Sequence, residues 1–348
     1  MKKLLSVILV VAMVSSLALL SSCKEKTAKQ QFSASDITAF DTQSIILGWE
    51  KTEEEFNKKA DEILEILKKY HKLYDIYYEY DGVNNLKTVN KNAGVAPVKV
   101  EREIIDLLLY AKEMYDLTEG LTNVAMGSVL SIWHDYRERG IADPASASIP
   151  PIKDLETAAL HTDIDKVLID EKNSTVYLED PEMSLDVGAI AKGYAVEMAA
   201  KYMEDKGYTG YALSVGGNVR CIGKKANGDK WEIGIQNPDL ASDKAYVSKV
   251  YLTDEALVTS GNYQRFYTVE GKQYHHIIDP KTLMPKNTFS AVSIITDHSG
   301  MADAMSTALF NMTYEEGLAI AEKLEFEAIW VYPDGTVKTT DGFKELTK

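Results

Sequence analysis

Cysteine is nearly missing from this chain: its 348 residues contain two, Cys23 and Cys221. With Cys23 at the head of the mature protein, as argued below, Cys221 stands alone in the folded part. That excludes an internal disulfide framework, a thiolate metal cage and a Cys-x-x-Cys redox pair, so any chemistry must use oxygen and nitrogen groups. Positive charge is also scarce. Lys and Arg number 38 against 53 Asp and Glu, and the formal net charge of −15 repels nucleic acid. No tandem repeat or low-complexity domain is evident. Past the first 23 residues no run has the length and hydropathy of a membrane span.

What is there begins with MKKLLSVILVVAMVSSLALLSSC: two lysines, a short apolar core, then small residues before a cysteine. This reads as a secretory signal peptide over residues 1–22. Leu20, Ser21, Ser22 and Cys23 fit a bacterial lipoprotein box, which places a lipid on Cys23 and the protein outside the cytoplasm, on the periplasmic or extracellular face of the membrane. The polar stretch that follows is expected to be a tether over residues 23–36. Residues 37–348, in a chain whose overall hydrophobic content is 45%, are long enough to bury a sizeable core as one large domain or two intimate lobes.

Thr52 and Glu55 read as a capping box ahead of a long amphipathic helix with Phe56, Ile63, Leu67 and Tyr70 at helical spacing. VEREIIDLLLYAKEMYDLTEG and AKGYAVEMAAKYMEDKG repeat that pattern and stop at Gly120 and Gly207. MADAMSTALFNM and a segment capped by Thr313 and Glu316 supply further helices. Between them lie strand-like runs, with hairpin turns at Glu270-Gly271 and Pro333-Asp334-Gly335. Residues 138–154 read as a surface loop. Many strands with four or five helices that do not alternate strictly predict an α+β fold, with a mostly antiparallel sheet core and flanking helices.

Six stretches could carry chemistry, and none is specific alone. LDVGAIAKGYAVE places Asp186 at a strand end, Gly188 and Ala189 in a turn, and Lys192 at a helix start. Such a junction suits an anion, but it lacks the Gly-Lys-Ser/Thr ending of a P-loop and equally suits a core helix entry. On a helix, Asp303 and Thr307 share one face and could offer a carboxylate and a hydroxyl to one hard cation, or serve the helix itself. In YHHIIDPKTLMP the two histidines face opposite sides of a strand, and His276 is the better acid–base candidate, although the stretch equally suits a structural role for either. SVGGN and VTSGNYQR could present amides to phosphates or close hairpins. DIYYEYDGVNNLKTVN brings Tyr80 and Asn90, aromatic surface that packs or stacks.

In this order the stretches resemble the ApbE family, the FAD:protein FMN transferases, from about Ala39 to Tyr332. LDVGAIAKGYAVE is similar to the family's Leu-Asp-Leu-Gly-Gly-Ile-Ala-Lys-Gly-Tyr run, and YALSVGGN to its strand ending in Gly-Gly-Asp or Gly-Gly-Asn. VTSGNYQR resembles Thr-Ser-Gly-x-Tyr, YHHIIDPKTLMP resembles His-Ile-Ile-Asp-Pro-x-Thr-Gly-x-Pro, and MADAMSTAL resembles Ala-Asp-Ala-x-x-Thr. Three positions depart from the pattern. Thr122-Asn123-Val124-Ala125 stands for Phe-Asp-x-Thr, Leu283 for glycine, and Phe40-Asp41-Thr42 for Met-Gly-Thr.

The resemblance implies a single T-fold-like flavin transferase domain over residues 37–348. Its activity would be Mg²⁺-dependent transfer of FMN from FAD to a Thr or Ser hydroxyl of an acceptor protein, with release of AMP. Asp303, Thr307 and the Ala189 carbonyl would hold Mg²⁺, and Asp303 and His276 would act in catalysis. Asp186 and Lys192 would bind FAD, with Phe40, Tyr80, Thr122, Asn123, Val124 and Ile277 around its cleft. The acceptor would be a membrane or surface redox protein, such as a subunit of an Rnf-type or Na⁺-pumping quinone reductase complex. Two alternatives stay open: an FAD pyrophosphatase that releases FMN and AMP, and a flavin-binding lipoprotein without turnover.

Overall fold

In the computed structural model, which describes residues 28–348, the chain joins its main sheet earlier than expected. The signal peptide and Cys23 lie outside the described residues, but part of the expected tether does not. Residues Gln30–Asp36 form strand β1, paired antiparallel with β2 (Ser44–Glu50) from Gln30↔Glu50 to Asp36↔Ser44. The segment expected to be a tether is therefore strand from Gln30 to Asp36. Its polar composition hid a two-residue alternation in which Phe32 and Ala34 pack on the core and the Phe32 ring stacks on Phe56 at 5.7 Å.

The remaining elements follow in chain order. They are α1 (Glu53–Tyr74), α2 (Leu86–Lys91), β3 (Val98–Lys99), α3 (Arg102–Leu117), α4 (Gly127–Ala142), α5 (Ile152–Ala159), β4 (Val167–Asp170), β5 (Thr175–Leu178) and α6 (Ala191–Asp205). Then come β6 (Tyr211–Val215), β7 (Asn218–Ile222), β8 (Trp231–Gln236), β9 (Tyr246–Leu252), β10 (Ala256–Gly261), β11 (Phe266–Val269) and β12 (Lys272–His275). The chain finishes with β13 (Ala291–Thr296), α7 (Ser299–Asn311), α8 (Tyr314–Lys323), β14 (Glu327–Val331) and β15 (Val337–Thr339).

The main sheet is open and wholly antiparallel, ordered β1-β2-β6-β7-β10-β13-β14-β15. The α+β expectation holds. Both faces are covered, so its central strands are mostly apolar and alternate between two cores. Leu213, Val258, Val292, Ile294 and Trp330 join the core under α1, α6 and α7. Ala212, Leu257, Ile295 and Ile329 face the second core, under the β8–β9 hairpin and the C-terminal turn at Phe343. Each large side chain withdrawn from water contributes roughly 1.5–3 kcal/mol, which anchors α7 firmly on β10 and β13.

Local signals decide the helix ends. Thr52 accepts the Glu55 N–H at 3.2 Å, and Thr313 and Glu316 complete a reciprocal capping box. At the end of α6, Gly207 takes φ +70°, and the Tyr208 N–H reaches the Met203 carbonyl at 2.8 Å. Eight α-helices are present among the described residues, more than expected, and the expected loop over 138–154 is shorter. α4 runs to Ala142 and α5 starts at Ile152. α4 was unreadable because it opens on glycine, where a side chain would strike the Ser184 carbonyl; the Gly127 N–H instead donates to that carbonyl at 2.9 Å. The strand through the histidines is also shorter, ending at His275 and leaving His276 just beyond it.

Candidate active site

The site forms where α6, α7 and the ends of β7 and β10 meet. Gly193, in the first turn of α6, lies against α7, and a Cβ there would run into Asp303 and the Ser299 carbonyl. The missing side chain lets the Gly193 N–H donate to Asp303 Oδ2 at 2.7 Å. In a continued helix that N–H would go to the Ala189 carbonyl. Among the described residues no donor reaches that carbonyl. Asp303 is 5% exposed, and burial holds its carboxyl above the usual carboxylate range, opposed by the Lys192 ammonium, the Gly193 N–H and the Asn218 amide. Asn218 lies close enough to favour the charge without closing a hydrogen bond.

Thr307, one turn beyond Asp303 on α7, is half-exposed. Its Oγ1 lies 3.4 Å from Ser260 Oγ, which bonds Ser306 Oγ at 2.8 Å. The three positions expected around a cation thus supply a buried carboxylate, a half-exposed hydroxyl and a carbonyl without a donor. No cluster of three His, Cys, Asp or Glu able to hold a metal is found among the described residues. One carboxylate with neutral oxygens does not suit zinc. It suits Mg²⁺, which keeps waters and substrate phosphates as its other ligands.

Asp186 and Lys192 frame the adjoining turn. Asn90, ninety-five residues upstream, clamps Leu185 through both ends of its amide, at 2.8 and 2.9 Å, and the Asp186 N–H donates to the Val124 carbonyl at 2.8 Å. Asp186 Oδ1 accepts the Gly188 N–H at 2.9 Å, and Lys192 Nζ donates to the Gly188 carbonyl at 3.3 Å. Burial raises the Asp186 carboxyl, against His134, Lys192 and Arg137. Lys192 therefore acts on both Asp186 and Asp303, an anion-facing cation between two carboxylates.

His276 lies near this turn, since Arg137 acts on both it and Asp186. Its backbone N–H donates to the Arg265 carbonyl at 3.1 Å, and its Nδ1 lies 3.3 Å from the same oxygen. A carbonyl only accepts, so Nδ1 carries the proton and Nε2 is the free base. Burial, then Arg265, His275 and Arg137, push this imidazole down to about 3. His275 is excluded from the chemistry. It is buried, its Nε2 donates to the Lys286 carbonyl at 3.0 Å and its Nδ1 accepts the Ile277 N–H at 3.2 Å. Arg137 Nη2 contacts His134 Nδ1 at 2.8 Å, and the Tyr77 ring packs on His134 at 5.5 Å.

Phe40 and Tyr80 are tied by a residue sequence reasoning missed. His71 Nδ1 accepts the Phe40 N–H at 3.2 Å, and its Nε2 lies 3.2 Å from the Tyr80 hydroxyl, which donates to Asp75 Oδ2 at 2.7 Å. Phe40 sits at φ +57°, a strained position this contact holds. The remaining expected cleft residues turn out to be committed inward. Thr122 bonds the Ala304 carbonyl at 2.8 Å, and Asn123 bridges the Thr162 carbonyl and the Ala125 N–H. Val124 and Ile277 are core residues. Thr122 thus fastens a loop to α7, and Asn123 borders a surface cleft of about 400 Å³ with Tyr115, Pro280 and Lys281.

A family model described as the ApbE family matches residues 37–330. The chain belongs to the ApbE family. Among curated relatives, the FAD:protein FMN transferase of Treponema pallidum is 31% identical over 278 residues, covering 76% of this chain and 75% of the relative. That of Haemophilus influenzae is 28% identical over 361 residues, covering 100% and 99%. Among solved structures, the ApbE protein of Thermotoga maritima superposes with a TM-score of 0.80 at 27% identity over 92% of this chain and 100% of that one. The flavin transferase ApbE from Vibrio cholerae gives 0.76 at 24% identity over 91% and 99%, and so supports the ApbE fold. Within that ApbE frame Gly193, Asn218, Ser260 and His71 are additions to the expected residues. Gly193 carried a signal as a glycine inside a helix, where it costs stability, and Asn218 and Ser260 lie within the SVGGN and VTSGNYQR stretches, while His71 carried none.

Proposed function

We propose that this ApbE-family chain transfers FMN from FAD to a Thr or Ser hydroxyl of an acceptor protein, with Mg²⁺ as cofactor and AMP as the other product. The observation that carries the reading is the buried Asp303 carboxylate, fixed by the Gly193 N–H beside Thr307 and faced by Lys192. Asp303, Thr307 and the Ala189 carbonyl would hold the ion. When bound, Mg²⁺ supplies charge neutralisation at the pyrophosphate. Lys192 and Asp186 then orient the FAD, and Phe40 and Tyr80 border its flavin end. His276 Nε2 takes the proton as the acceptor oxygen forms its bond to the FMN phosphorus. The P–O bond to the AMP phosphate breaks, and AMP leaves with that electron pair. The flavin is joined to the acceptor as a phosphoester.

The lipoprotein box leads us to place the enzyme on the outer face of a membrane, lipid-anchored at Cys23, where membrane-bound or surface redox subunits are the acceptors. The test uses purified protein with FAD, Mg²⁺ and an acceptor peptide bearing one hydroxyl. Covalent FMN on the peptide, equimolar with AMP, is expected. Free FMN and AMP with an unlabelled peptide would make the protein a pyrophosphatase, and no turnover of FAD would leave a binding protein.

A further inference from the structure

Helices α6 and α7 run antiparallel and meet in two rungs. In one, the Gly193 N–H reaches Asp303 Oδ2 at 2.7 Å; in the other, four residues along each helix, the Ser299 N–H donates to Glu197 Oε2 at 2.8 Å. The strand beneath repeats this spacing. Asn218 and Arg220, two apart on β7, share a face. Asn218 favours the charge of Asp303, and Arg220 Nε lies 3.5 Å from the same Glu197 oxygen. Two layers result: Gly193, Asn218 and Asp303 at the metal level, and Glu197, Arg220 and Ser299 one helical turn below it. The proposed reaction uses only the upper layer.

The lower layer is buried, with Glu197 3%, Arg220 4% and Ser299 0% exposed. A buried ion pair is weak evidence for stability, since its desolvation offsets its attraction, and fixing one register is its best-attested use. Here the register is that of α7. Ser299 is the first residue of the helix, and its N–H is one of the donors a helix start leaves without a partner. The cap residue His298 serves the Met301 N–H instead, at 3.2 Å. Arg220 is itself held by Glu204 at 3.1 Å and by the Cys221 carbonyl at 2.6 Å. Glu197 is thus fixed from below, and α7 cannot slide along α6 without breaking the Ser299 bond.

We propose that Glu197, clamped by Arg220, is a positioning residue that sets the height of α7 so that Asp303 and Thr307 face the metal together. The inference rests on the metal reading given above. Metal affinity can be measured directly by titrating Mn²⁺ into the full chain with FAD and following the free ion by electron paramagnetic resonance, alongside thermal unfolding. Glu197→Met removes the acceptor and should weaken Mn²⁺ binding about 10-fold or more, the range for groups that orient a metal ligand. Glu197→Gln keeps an oxygen acceptor for Ser299 and should stay within about 3-fold of wild type, even with a lowered Tm.

Ser299→Pro deletes the donor at a first-turn position where proline suits the backbone, with Ser299→Ala as the control for the lost hydroxyl, and should match Glu197→Met; it carries the test if Glu197→Met does not fold. Wild-type Mn²⁺ affinity in both Glu197→Met and Ser299→Pro would make the layer merely structural and overturn the inference. Equal weakening in Glu197→Gln would overturn it too, by showing that charge and not the anchored N–H matters. Asp303→Ala separates the two ideas, because wild-type Mn²⁺ binding in that variant would sink the metal reading itself.

Discussion

Asp303 sits on a helix packed between α6 and strands β10 and β13, buried and bonded to a backbone amide, whereas His276 sits just past the end of β12, half-buried and oriented by one carbonyl. One wall of the site is made of packed helices whose spacing is fixed by glycine and a buried ion pair. The other is made of segments between elements: the Tyr77–Tyr80 stretch, the turn before β11 and the residues after β12. Metal geometry tolerates little displacement, so oxygen donors belong on the rigid wall. A hydroxyl arriving on another protein needs room, and loops at a cleft provide it.

The largest loss of activity is expected at the rigid wall. Asp303→Ala is expected to lower flavin transfer by about 10³-fold or more, the scale of several kcal/mol of lost charge stabilisation, without unfolding. The assay is mass spectrometry of the labelled peptide with unfolding by circular dichroism. Gly193→Ala should follow, with transfer falling together with stability by about 1–3 kcal/mol, because its Cβ forces α7 away from α6. Chemical denaturation of this variant checks the coupling of fold and site on that wall.

On the loop wall the effects should separate. His276→Gln is expected to cut transfer by about 10²–10⁴-fold while FAD binding, followed by flavin fluorescence, is retained. The pH profile sharpens this further. The His276 imidazole is held near 3 and that of His275 near 4, against 6.5 ordinarily, so both are neutral in the folded protein at physiological pH. Transfer should show no histidine limb between pH 5 and 8. Because the unfolded chain binds these protons first, stability present above pH 6.5 should be lost as pH falls toward 4, read as a declining Tm. The smallest effect is expected from Thr122→Val, about 1 kcal/mol of stability through the lost bond to Ala304, with transfer little changed.

Much of this was legible from the sequence. The long helices, their caps at Thr52 and Thr313, and the hairpin at Glu270 and Gly271 carry local signals, and the helical spacing of Asp303 and Thr307 placed both on one face. β1 was missed because only Phe32 and Ala34 mark it, and α4 because its opening glycine answers a carbonyl on another segment. Glu197 looked like any polar helix residue; only the packing of α7 buries it. His71 at the end of α1 gave no sign that it ties Phe40 to Tyr80. In LDVGAIAKGYAVE the lysine drew attention first. The structure shifts weight to Gly193, whose bare Cα admits Asp303, and to the carbonyl of Ala189 that this contact leaves without a donor.

The central claim is that Asp303, Thr307 and the Ala189 carbonyl hold the ion that lets FAD give up FMN to a hydroxyl. Its most direct test is single-turnover transfer to an acceptor peptide by wild type and Asp303→Ala, with Mg²⁺ titrated from a chelated start. Saturable Mg²⁺-dependent labelling is expected in wild type, with labelling in the variant slower by about 10³-fold or more and insensitive to Mg²⁺. Equal labelling of the peptide by both proteins, or undiminished wild-type labelling in excess chelator, would contradict that claim.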